Sequence, residues 1–450
     1  MTTLQAAEIW NALLAEKRAL HLDHLPGFRS ELLERGVHFG GRPLCNHLRP
    51  KFLTEAEVSS LAAVAEATMA GIVQAKERML EDPALMALLN LTEVEREMVQ
   101  PDPGYSYIAP CVRLDSFMTH EGPKFVEING ECPAGVGFGD RLSESFLKHP
   151  LAEEFQRTFS MRMIPTLPPM LDALLTCWGE FSGAHKPTIA IVDYRDVPTA
   201  IEFEICRDHF EAQGYRTIIV DPRELEFDGH SLEAQGEKID VVYKRVLMNE
   251  FIEKLDEVKP LFDAYRAGRV CVVNPFQAKL VHKKSIFAVL TADNRESWMD
   301  DSLCGLIDSA VPWTRNLVPG KTNYRGESVD LIPFLRERRE HFVLKPNDDY
   351  GGKGISLGWE IEEDAWSRAL DAAVGNDFVA QERIILSTEP FPSMANDLEP
   401  DDLFVDLDPY LFMGKMVGAL ARLGVGGLCN VTSGGGQVPL FIVGEKRCRS

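Results

Sequence analysis

Apolar residues recur at helical spacing through much of the first hundred positions of the chain. In 54–82 they stand three and four positions apart, and Thr54 with Glu57 forms a capping box before them. The stretch 36–50 interrupts this pattern and favours loop and short strand. The pattern therefore predicts a mainly helical region over residues 1–104.

The pattern changes to short strands after residue 105. The runs 111–118 and 124–130 are separated by "THEGP" and predict an antiparallel hairpin. A helical stretch over about 140–182 follows and is interrupted at Pro165, Pro168 and Pro169. We assign 105–185 to one structural unit on this pattern.

Four apolar β runs, separated by helical patterns, follow in the middle of the chain. They are 188–194, 215–221, 239–245 and 269–275, an alternation typical of a small α/β domain with a largely parallel sheet over 186–275. No G-x-G-x-x-G follows the first run, so a dinucleotide-binding fold is weakly supported.

The last two units predicted are 276–385 and 386–450. The first has a helix at about 279–292, a strand ending at Lys345 and another strand over 377–385; the second alternates strands with glycine turns. The fold class expected is a multidomain α+β or α/β protein with two to four subdomains, since 450 residues exceed one ordinary core.

Composition limits the function classes. The net charge of −22 disfavours general nucleic-acid binding, which relies on basic surface. No apolar run approaches the roughly 20 residues expected of a membrane helix, and the N-terminus does not have the pattern of a signal peptide. Nine scattered cysteines without C-x-x-C spacing favour reduced thiols in a cytoplasm. The oligomeric state stays open.

The hairpin brings polar residues together. Arg113 and Asp115 share one strand face, as do Glu127 and Asn129 on the other strand. If the turn is the three residues 120–122, with Gly122 in the left-handed position, Asp115 faces Glu127. Two opposed carboxylates repel unless a cation lies between them, and Mg²⁺ suits such oxygen ligands. Cross-strand pairing between arginine and carboxylate on a solvated face is the alternative.

The run "HFVLKPNDDYGGKGIS" joins a strand to a glycine-rich loop. It is not a Walker A site, because Asn347 stands where the first glycine should be and Gly354 follows Lys353. Glycines still let backbone N–H groups approach phosphate closely, and lysines supply charge. A polar hairpin with a solvated lysine would give the same pattern.

Three further segments have polar residues suited to a nucleotide. Gln381, Glu382, Arg383 and Ile384 follow a strand and can present backbone groups to an adenine edge. Lys279, Lys283 and Lys284 cluster at a predicted helix start, which favours phosphate. Arg422 and Asn430 precede a glycine run and suit phosphate or metal contacts. An edge strand, a basic helix surface and purely structural roles are the respective alternatives.

Together these segments resemble the ATP-grasp superfamily, in which a strand lysine precedes a glycine-rich lid. Glu-x-Asn here lies more than 200 residues before the lid, the order of circularly permuted members. The synthetase domain of glutathionylspermidine synthase is similar, with an Arg-x-Asp strand about a dozen residues before Glu-x-Asn. The resemblance covers roughly 105–443. Where that family often has Asn-Ala-Asp-Thr-Pro, this chain has "NGECPAG" (129–135).

The resemblance implies an ATP-dependent ligase that joins a small carboxylate to a small amine through an acylphosphate. Its cofactors would be ATP and two Mg²⁺ ions, with a preATP-grasp-like domain at 186–275. A non-catalytic nucleotide-binding protein and a kinase-like phosphotransferase are the alternatives. The roles implied are these: Asp115, Glu127 and Asn129 for metal; Arg113 and Lys345 for catalysis; and Lys284, Lys345, Gly351, Gly352, Gly354, Gln381, Glu382, Arg383, Ile384 and Arg422 for nucleotide.

Overall fold

The N-terminal region is mainly helical, as the periodicity predicts, and Thr54 caps its longest helix together with Glu57. The structure is a computed structural model that describes residues 2–349, 352–426, 429 and 436–446. This region contains α1 (Thr3–Glu16), α2 (Arg18–Glu34), β1 (His38–Phe39), β2 (Arg42–Pro43), β3 (Lys51–Thr54), α3 (Glu55–Glu81), α4 (Pro83–Ala87) and α5 (Glu93–Met98).

By length and composition alone α3 is long and apolar enough to cross a membrane. The sequence pattern predicts no run of this kind. In the fold, Leu61, Ala65, Met69 and Ile72 on α3 are buried. The helix packs against α14 (Asp301–Ala310) and against two strands of the central sheet, β21 (Pro400–Phe412) and β22 (Lys415–Gly424). One face of α3 is therefore buried against the rest of the fold.

The predicted hairpin forms, but the helical stretch after it does not run as expected. Three helices form instead of one continuous stretch, and a short strand at 159–162 lies between the second helix and the third. Each of the last two helices has proline at its first turn, where the missing N–H is tolerated. The elements here are β4 (Cys111–Thr119), β5 (Gly122–Asn129), α6 (Val136–Lys148), α7 (Pro150–Thr158), β6 (Phe159–Arg162) and α8 (Leu167–Phe181).

The predicted parallel sheet is confirmed, with order β13-β12-β7-β8 and parallel pairing throughout. The strands β7, β12 and β13 are buried along their whole length and mainly apolar, as in other parallel sheets covered by helices, with Lys244 at the end of β12 as a charged exception. The elements are β7 (Ile189–Val192), α9 (Ala200–Ala212), β8 (Thr217–Val220), β9 (Glu226–Phe227), β10 (Leu232–Ala234), β11 (Glu237–Ile239), β12 (Val241–Lys244), α10 (Met248–Glu253), α11 (Leu255–Arg266) and β13 (Cys271–Val273).

The helix expected at 279–292 is broken into two short pieces with Lys283 between them in an extended conformation. Beyond it a four-stranded sheet, β14-β19-β17-β18, has its own small core around Phe342 and Trp366. The elements are α12 (Lys279–His282), α13 (Ile286–Leu290), α14, β14 (Thr314–Asn316), β15 (Lys321–Tyr324), β16 (Glu327–Asp330), α15 (Leu331–Glu337), β17 (Phe342–Pro346), β18 (Ser356–Leu357), α16 (Glu363–Ala373) and β19 (Phe378–Glu382).

The last strands complete two sheets begun much earlier in the chain. An antiparallel sheet runs β23-β22-β21-β4-β5, with β20 also on β21, and a smaller one runs β3-β24-β6. The new strands are β20 (Glu389–Pro392), β21, β22, β23 (Gly436–Val438) and β24 (Leu440–Glu445). The predicted units 105–185 and 386–450 therefore share one sheet, while their exact boundaries stay a prediction.

Candidate functional site

A cavity of about 640 Å³ lies between the central sheet and the sheet that contains β17 and β19. This volume is typical of small-molecule sites. Most residues singled out from the sequence are brought together on its wall: Arg113, Asp115, Glu127, Asn129, Lys284, Lys345, Gly352, Gln381, Glu382, Arg383, Ile384 and Arg422. Gly351 and Asn430 lie outside the described residues, and Gly354 lies near the cavity without lining it.

The hairpin β4–β5 has the predicted register at the site but a different turn. Asp115 faces Glu127 and Arg113 faces Asn129, as expected. However, Thr119 pairs with Gly122, so the turn has two residues and not three. A bulge that leaves Val126 unpaired, between the Ser116–Phe125 and Asp115–Glu127 pairs, supplies the missing offset.

Asp115 lies in a buried cluster of charges that sequence reasoning did not foresee. Its carboxylate accepts hydrogen bonds from Arg113 Nε (2.8 Å) and Arg422 Nη2 (2.7 Å). Arg422 also pairs with Asp406 and Asp408 on β21, at 2.7 and 2.9 Å. Arg422, predicted to contact phosphate, therefore lies at the cavity wall as the centre of a group of three carboxylates.

The cluster separates the pKa values of its carboxyl groups. Burial alone would raise the pKa of Asp115, but the guanidinium groups of Arg113 and Arg422 hold it well below its usual range. Burial raises the pKa of Asp406 to about 6 and that of Asp408 well above the ordinary value. Two guanidinium groups face three carboxyl groups, so the charges balance when Asp408 carries a proton.

The metal ligands implied by the resemblance do not have equivalent surroundings. Asn129 donates from Nδ2 to Asp115 Oδ1 at 2.7 Å, which leaves the Asn129 Oδ1 atom turned away from that carboxylate. Glu127 lies on the cavity wall with Lys284 Nζ 3.4 Å from Oε1. One carboxylate and one amide oxygen fit Mg²⁺, which is usually held by one or two carboxylates plus substrate phosphates.

In this geometry Asp115 orients Asn129 and binds two arginines, because its oxygens already accept four hydrogen bonds from these three residues. Arg113 is committed too, since Nη1 donates to the Ala134 carbonyl at 2.8 Å. Among the described residues, no group of three or more His, Cys, Asp or Glu side chains is arranged to hold a metal. A metal here would therefore depend on Glu127, Asn129 and the ligand's own phosphates.

Two lysines line the cavity together with Glu127. Lys345 lies in β17, as its sequence position predicts, and donates to Gln381 Oε1 at 2.7 Å. Burial, opposed by the Glu127 carboxylate and reinforced by the Lys284 ammonium, lowers the pKa of Lys345 to about 8. Lys284 donates to the Asp349 carbonyl at 2.6 Å and so contacts the base of the glycine loop.

The lysine group expected at one helix start is divided among different contacts. Lys283 pairs with Glu95 and Asp377 at 3.2 and 3.4 Å and does not line the cavity. Lys279 pairs with Asp348 at 2.6 Å. The expectation of a basic helix N-terminus for phosphate is wrong, because the helix breaks at Lys283; Lys284 alone of the three lines the cavity.

The glycine loop and the strand after it form the edge of the cavity. Gly354 has φ +69°, and a Cβ there would lie 2.8 Å from Pro346 Cγ, so the loop folds back on the end of β17 only with glycine. At the hinge, which is the segment 381–384 at the end of β19, the Glu382 carboxylate accepts hydrogen bonds from Tyr324 Oη (2.7 Å) and Arg325 Nη2 (2.6 Å). The Glu382 side chain therefore joins the hinge to β15 and its turn.

Four functional candidates were missed in the sequence. Asp406 and Asp408 alternate on one strand face, and this D-x-D spacing was the available signal. Asp193 and Arg245 each follow the last residue of a parallel strand and line the cavity. Their position directly after an apolar β run was a signal for ligand contact, since ligands bind at the carboxyl ends of such strands.

Comparisons with known proteins indicate the fold. No protein-family model matches the chain. A solved structure, a glutathione synthetase-like effector from Globodera pallida in its apo form, aligns with TM-score 0.63 and 14% identity over 95% of this chain and 98% of that one. At this identity the likeness shows a common fold: the chain has a mixed α/β, glutathione synthetase-like architecture.

Two weaker similarities concern ligases by name. A curated Frankia casuarinae protein named as a glutamate–cysteine ligase 2-2 is 22% identical over 347 residues, which is 70% of this chain. The chain spans only 36% of the length of that relative. A D-alanyl-alanine synthetase A structure from Vibrio cholerae has 12% identity over 54% of this chain and 68% of its own, with a TM-score of 0.27 that is too low to indicate a common fold.

Proposed function

We propose that the chain is an ATP-dependent ligase that joins a small-molecule carboxylate to an amine through an acylphosphate. The observation that carries this proposal is that Glu127, Asn129, Lys284 and Lys345 line one cavity beside β19, with Lys284 Nζ 3.4 Å from Glu127 Oε1. Paired cationic and metal-suited groups at a hinge fit a nucleotide triphosphate. The fold shared with a glutathione synthetase-like protein supports the same reading.

The finer proposal is a circularly permuted ATP-grasp enzyme similar to glutathionylspermidine synthase. The order of the segments supports it, since Glu127 and Asn129 precede Lys345 by more than 200 residues. A relative named as a glutamate–cysteine ligase is consistent with amide-bond chemistry, although it is much longer. All eight cysteines in the described residues are free, which fits the cytoplasmic location expected from the sequence.

The chemistry proposed has two steps. An oxygen of the substrate carboxylate attacks the γ-phosphorus of ATP, a C–O–P linkage forms, and ADP leaves. The amine nitrogen then attacks the acyl carbon, loses a proton, and displaces phosphate as the C–N bond forms. Bound Mg²⁺ would offset charge on the β- and γ-phosphates, with Glu127 and Asn129 holding it.

The protein's own groups would position reactants and offset charge. Lys284 and Lys345 would contact the nucleotide phosphates, and the backbone of Glu382 to Ile384 would hold adenine. Arg113, fixed by Asp115 and the Ala134 carbonyl, would present its guanidinium toward the transferred phosphoryl group. The loop over 347–354 would exclude water, which otherwise hydrolyses an acylphosphate.

A second candidate function is nucleotide binding without turnover. One observation favours it: Asp115, a metal ligand by resemblance, is fully engaged by Arg113, Arg422 and Asn129. This candidate keeps the lysines and the hinge but leaves the metal with one protein carboxylate. It predicts ATP binding that no carboxylate and amine pair converts to ADP release.

The test is a screen of ADP release from ATP with a panel of carboxylate and amine pairs, with Mg²⁺ and with EDTA. Ligation requires ADP release that depends on Mg²⁺ and on both substrates, with a condensed amide of the expected mass. A phosphorylated product without condensation would identify a phosphotransferase. ATP binding without ADP release from any pair would support the binding-only candidate.

A further inference from the structure

The parallel sheet forms one end of the cavity, which we call the crevice and which lies beside Asp193 and Arg245. In the order β13-β12-β7-β8, the chain leaves β7 toward one side of the sheet and reaches β12 and β13 on the other. Adjacent strands β7 and β12 therefore mark a topological switch point, where a crevice opens at the carboxyl ends. The first residue after β7 is Asp193, the first after β12 is Arg245, and both line the cavity.

The two charges at this crevice differ in what they already bind. Arg245 donates from Nη1 to the Pro133 carbonyl at 2.7 Å and lies 3.6 Å from the buried Glu202 carboxylate. Asp193 is 8% exposed and accepts at Oδ1 from the Tyr194 N–H at 2.8 Å. Among the residues the structure describes, no lysine or arginine reaches ion-pair distance of Asp193.

The rest of this end of the cavity is acidic or apolar. Glu250 adds a second carboxylate to the wall, while Val197, Pro198 and Leu247 supply apolar surface. Arg245, the cation at this end of the cavity, already has the Glu202 carboxylate 3.6 Å away, so an anionic ligand would be repelled by Asp193 without a matching gain from Arg245. A ligand with a positive head and an aliphatic chain fits the crevice better, because its charge would pair with a buried carboxylate.

The titration of Asp193 agrees with this geometry. Burial raises the pKa of Asp193 to about 6, while Arg245 and Lys244 and the Tyr194 N–H lower it and Glu250 raises it. A raised value means that the protein itself leaves this carboxylate short of favourable contacts. A bound cation would supply them.

One short segment joins this crevice to the groups expected to handle the phosphoryl group. The consecutive carbonyls of Pro133 and Ala134 accept from Arg245 and Arg113 respectively, at 2.7 and 2.8 Å. The crevice is therefore separated from Arg113 by the width of one backbone segment. A molecule bound at Asp193 would lie beside the place where an acyl group is activated.

We propose that Asp193 is the recognition group for the amine substrate, which it binds as the ammonium group of an alkyl amine whose carbon chain lies against Val197, Pro198 and Leu247. This site deepens the proposed ligase function and rests on it for its biological meaning. The ammonium-binding site itself can be tested without turnover.

The experiment is isothermal titration of the full chain at pH 7.5 with n-butylammonium, and with butan-1-ol and butyrate as neutral and anionic probes of the same length. We expect butylammonium to bind and the other two not to bind. Asp193→Asn should weaken that binding at least tenfold. Asp196→Asn, an exposed charge in the same loop, is the matched control and should leave it unchanged.

Equal butylammonium binding by wild type and Asp193→Asn, or preferred binding of butyrate, would overturn the proposal. If Asp193→Asn does not fold, Val197→Phe decides, since it fills the crevice while the carboxylate is retained, and it should also abolish binding. A non-hydrolysable ATP analogue is titrated in parallel. If the wild type does not bind the ATP analogue, the ligase function is contradicted. If it binds the analogue but not butylammonium, only this ammonium subsite is contradicted.

Discussion

The Arg422 guanidinium donates to the Asp115 carboxylate at 2.7 Å, although the two residues are 307 positions apart in the chain. The same guanidinium serves Asp406 and Asp408, so one side chain compensates carboxylates from two strands. Removing one partner from a buried group of charges leaves the others uncompensated. The cluster therefore holds the predicted site together as well as lining it.

The first prediction concerns that arginine. Arg422→Met should lower the free energy of unfolding by about 3–5 kcal/mol, because buried carboxylates lose their main cation. Lys415→Met on the same strand removes an exposed ion pair with Glu66 and should cost less than about 1 kcal/mol. Urea denaturation of both variants measures the difference, and similar values for the two would contradict the role given to Arg422.

The second prediction concerns the carboxylate that faces the lysines. Glu127→Gln keeps the size of the side chain but removes the charge that would hold Mg²⁺, so Mg²⁺-dependent ADP release should fall at least a hundredfold. Glu121→Gln, at the exposed turn of the same hairpin, should retain full release. Measurement of ADP release at saturating ATP, with thermal unfolding to confirm folding, decides it; full activity in Glu127→Gln would refute the assignment.

The third prediction is a pH dependence of nucleotide affinity. Lys345 loses its proton near pH 8 in the free protein, and phosphate contact requires the charged form. ATP affinity should therefore fall by about fivefold between pH 8 and pH 9, because the protonated fraction of Lys345 drops from about one half to about one tenth over that range. Titration of a non-hydrolysable ATP analogue across this range provides the measurement.

The same titration is compared in two variants. Lys345→Met should bind the analogue weakly and without the pH-dependent step. Lys321→Met, which removes an exposed lysine of β15, should behave as wild type. The pH dependence of the free protein's stability has the opposite sign to that of ATP affinity. The unfolded chain binds this proton up to about pH 10.4 and the folded chain only to about 8, so this lysine's contribution to stability grows as pH rises between those values.

The fourth prediction concerns the short segment 133–135, whose carbonyls accept hydrogen bonds from Arg113 and Arg245. Gly135 has φ +97°, and a Cβ there would lie 2.7 Å from the Tyr410 hydroxyl. Gly135→Ala should therefore destabilise the fold by about 1–3 kcal/mol. In the Tyr410→Phe background the cost should be smaller, because the clashing oxygen is gone. Gly139→Ala, with its nearest atom 3.6 Å away, should be close to neutral.

A double-mutant cycle of urea unfolding energies measures this coupling. For residues in contact, we expect Gly135→Ala to cost less in the Tyr410→Phe background than in the wild type, by about 0.5 kcal/mol or more. Strict additivity would mean that the strain lies in the backbone alone.

Local patterns predicted the parts of the fold that depend on local rules. The parallel strands follow from apolar runs, and the pairing of Asp115 with Glu127 follows from alternation along two strands. The bulge at Val126 could not be predicted from local patterns. It is needed because a two-residue turn and the pairing of Asp115 with Glu127 differ by one residue in register. The correct register was thus expected with an incorrect turn.

The charges around Asp115 needed information that the sequence does not display locally. Arg422 reaches Asp115 because β21 pairs with both β4 and β22, and such long-range pairing has no local signal. The break in the helix near Lys283 is similar, since Ser285 N–H donates to Asn347 Oδ1 from a distant strand end. Tertiary contacts of this kind override helical periodicity.

The position of β24 between β3 and β6 affects how the protein can fold during synthesis. Strand 440–445 pairs with residues made hundreds of positions earlier, at 51–54 and 159–162. Until that strand has left the ribosome, the two earlier strands have no partner between them, and β4 likewise lacks its partner β21 until β21 has been made. The growing chain therefore carries unpaired strand edges until β21 and β24 have been made, and such edges are the places where a nascent chain is prone to aggregate.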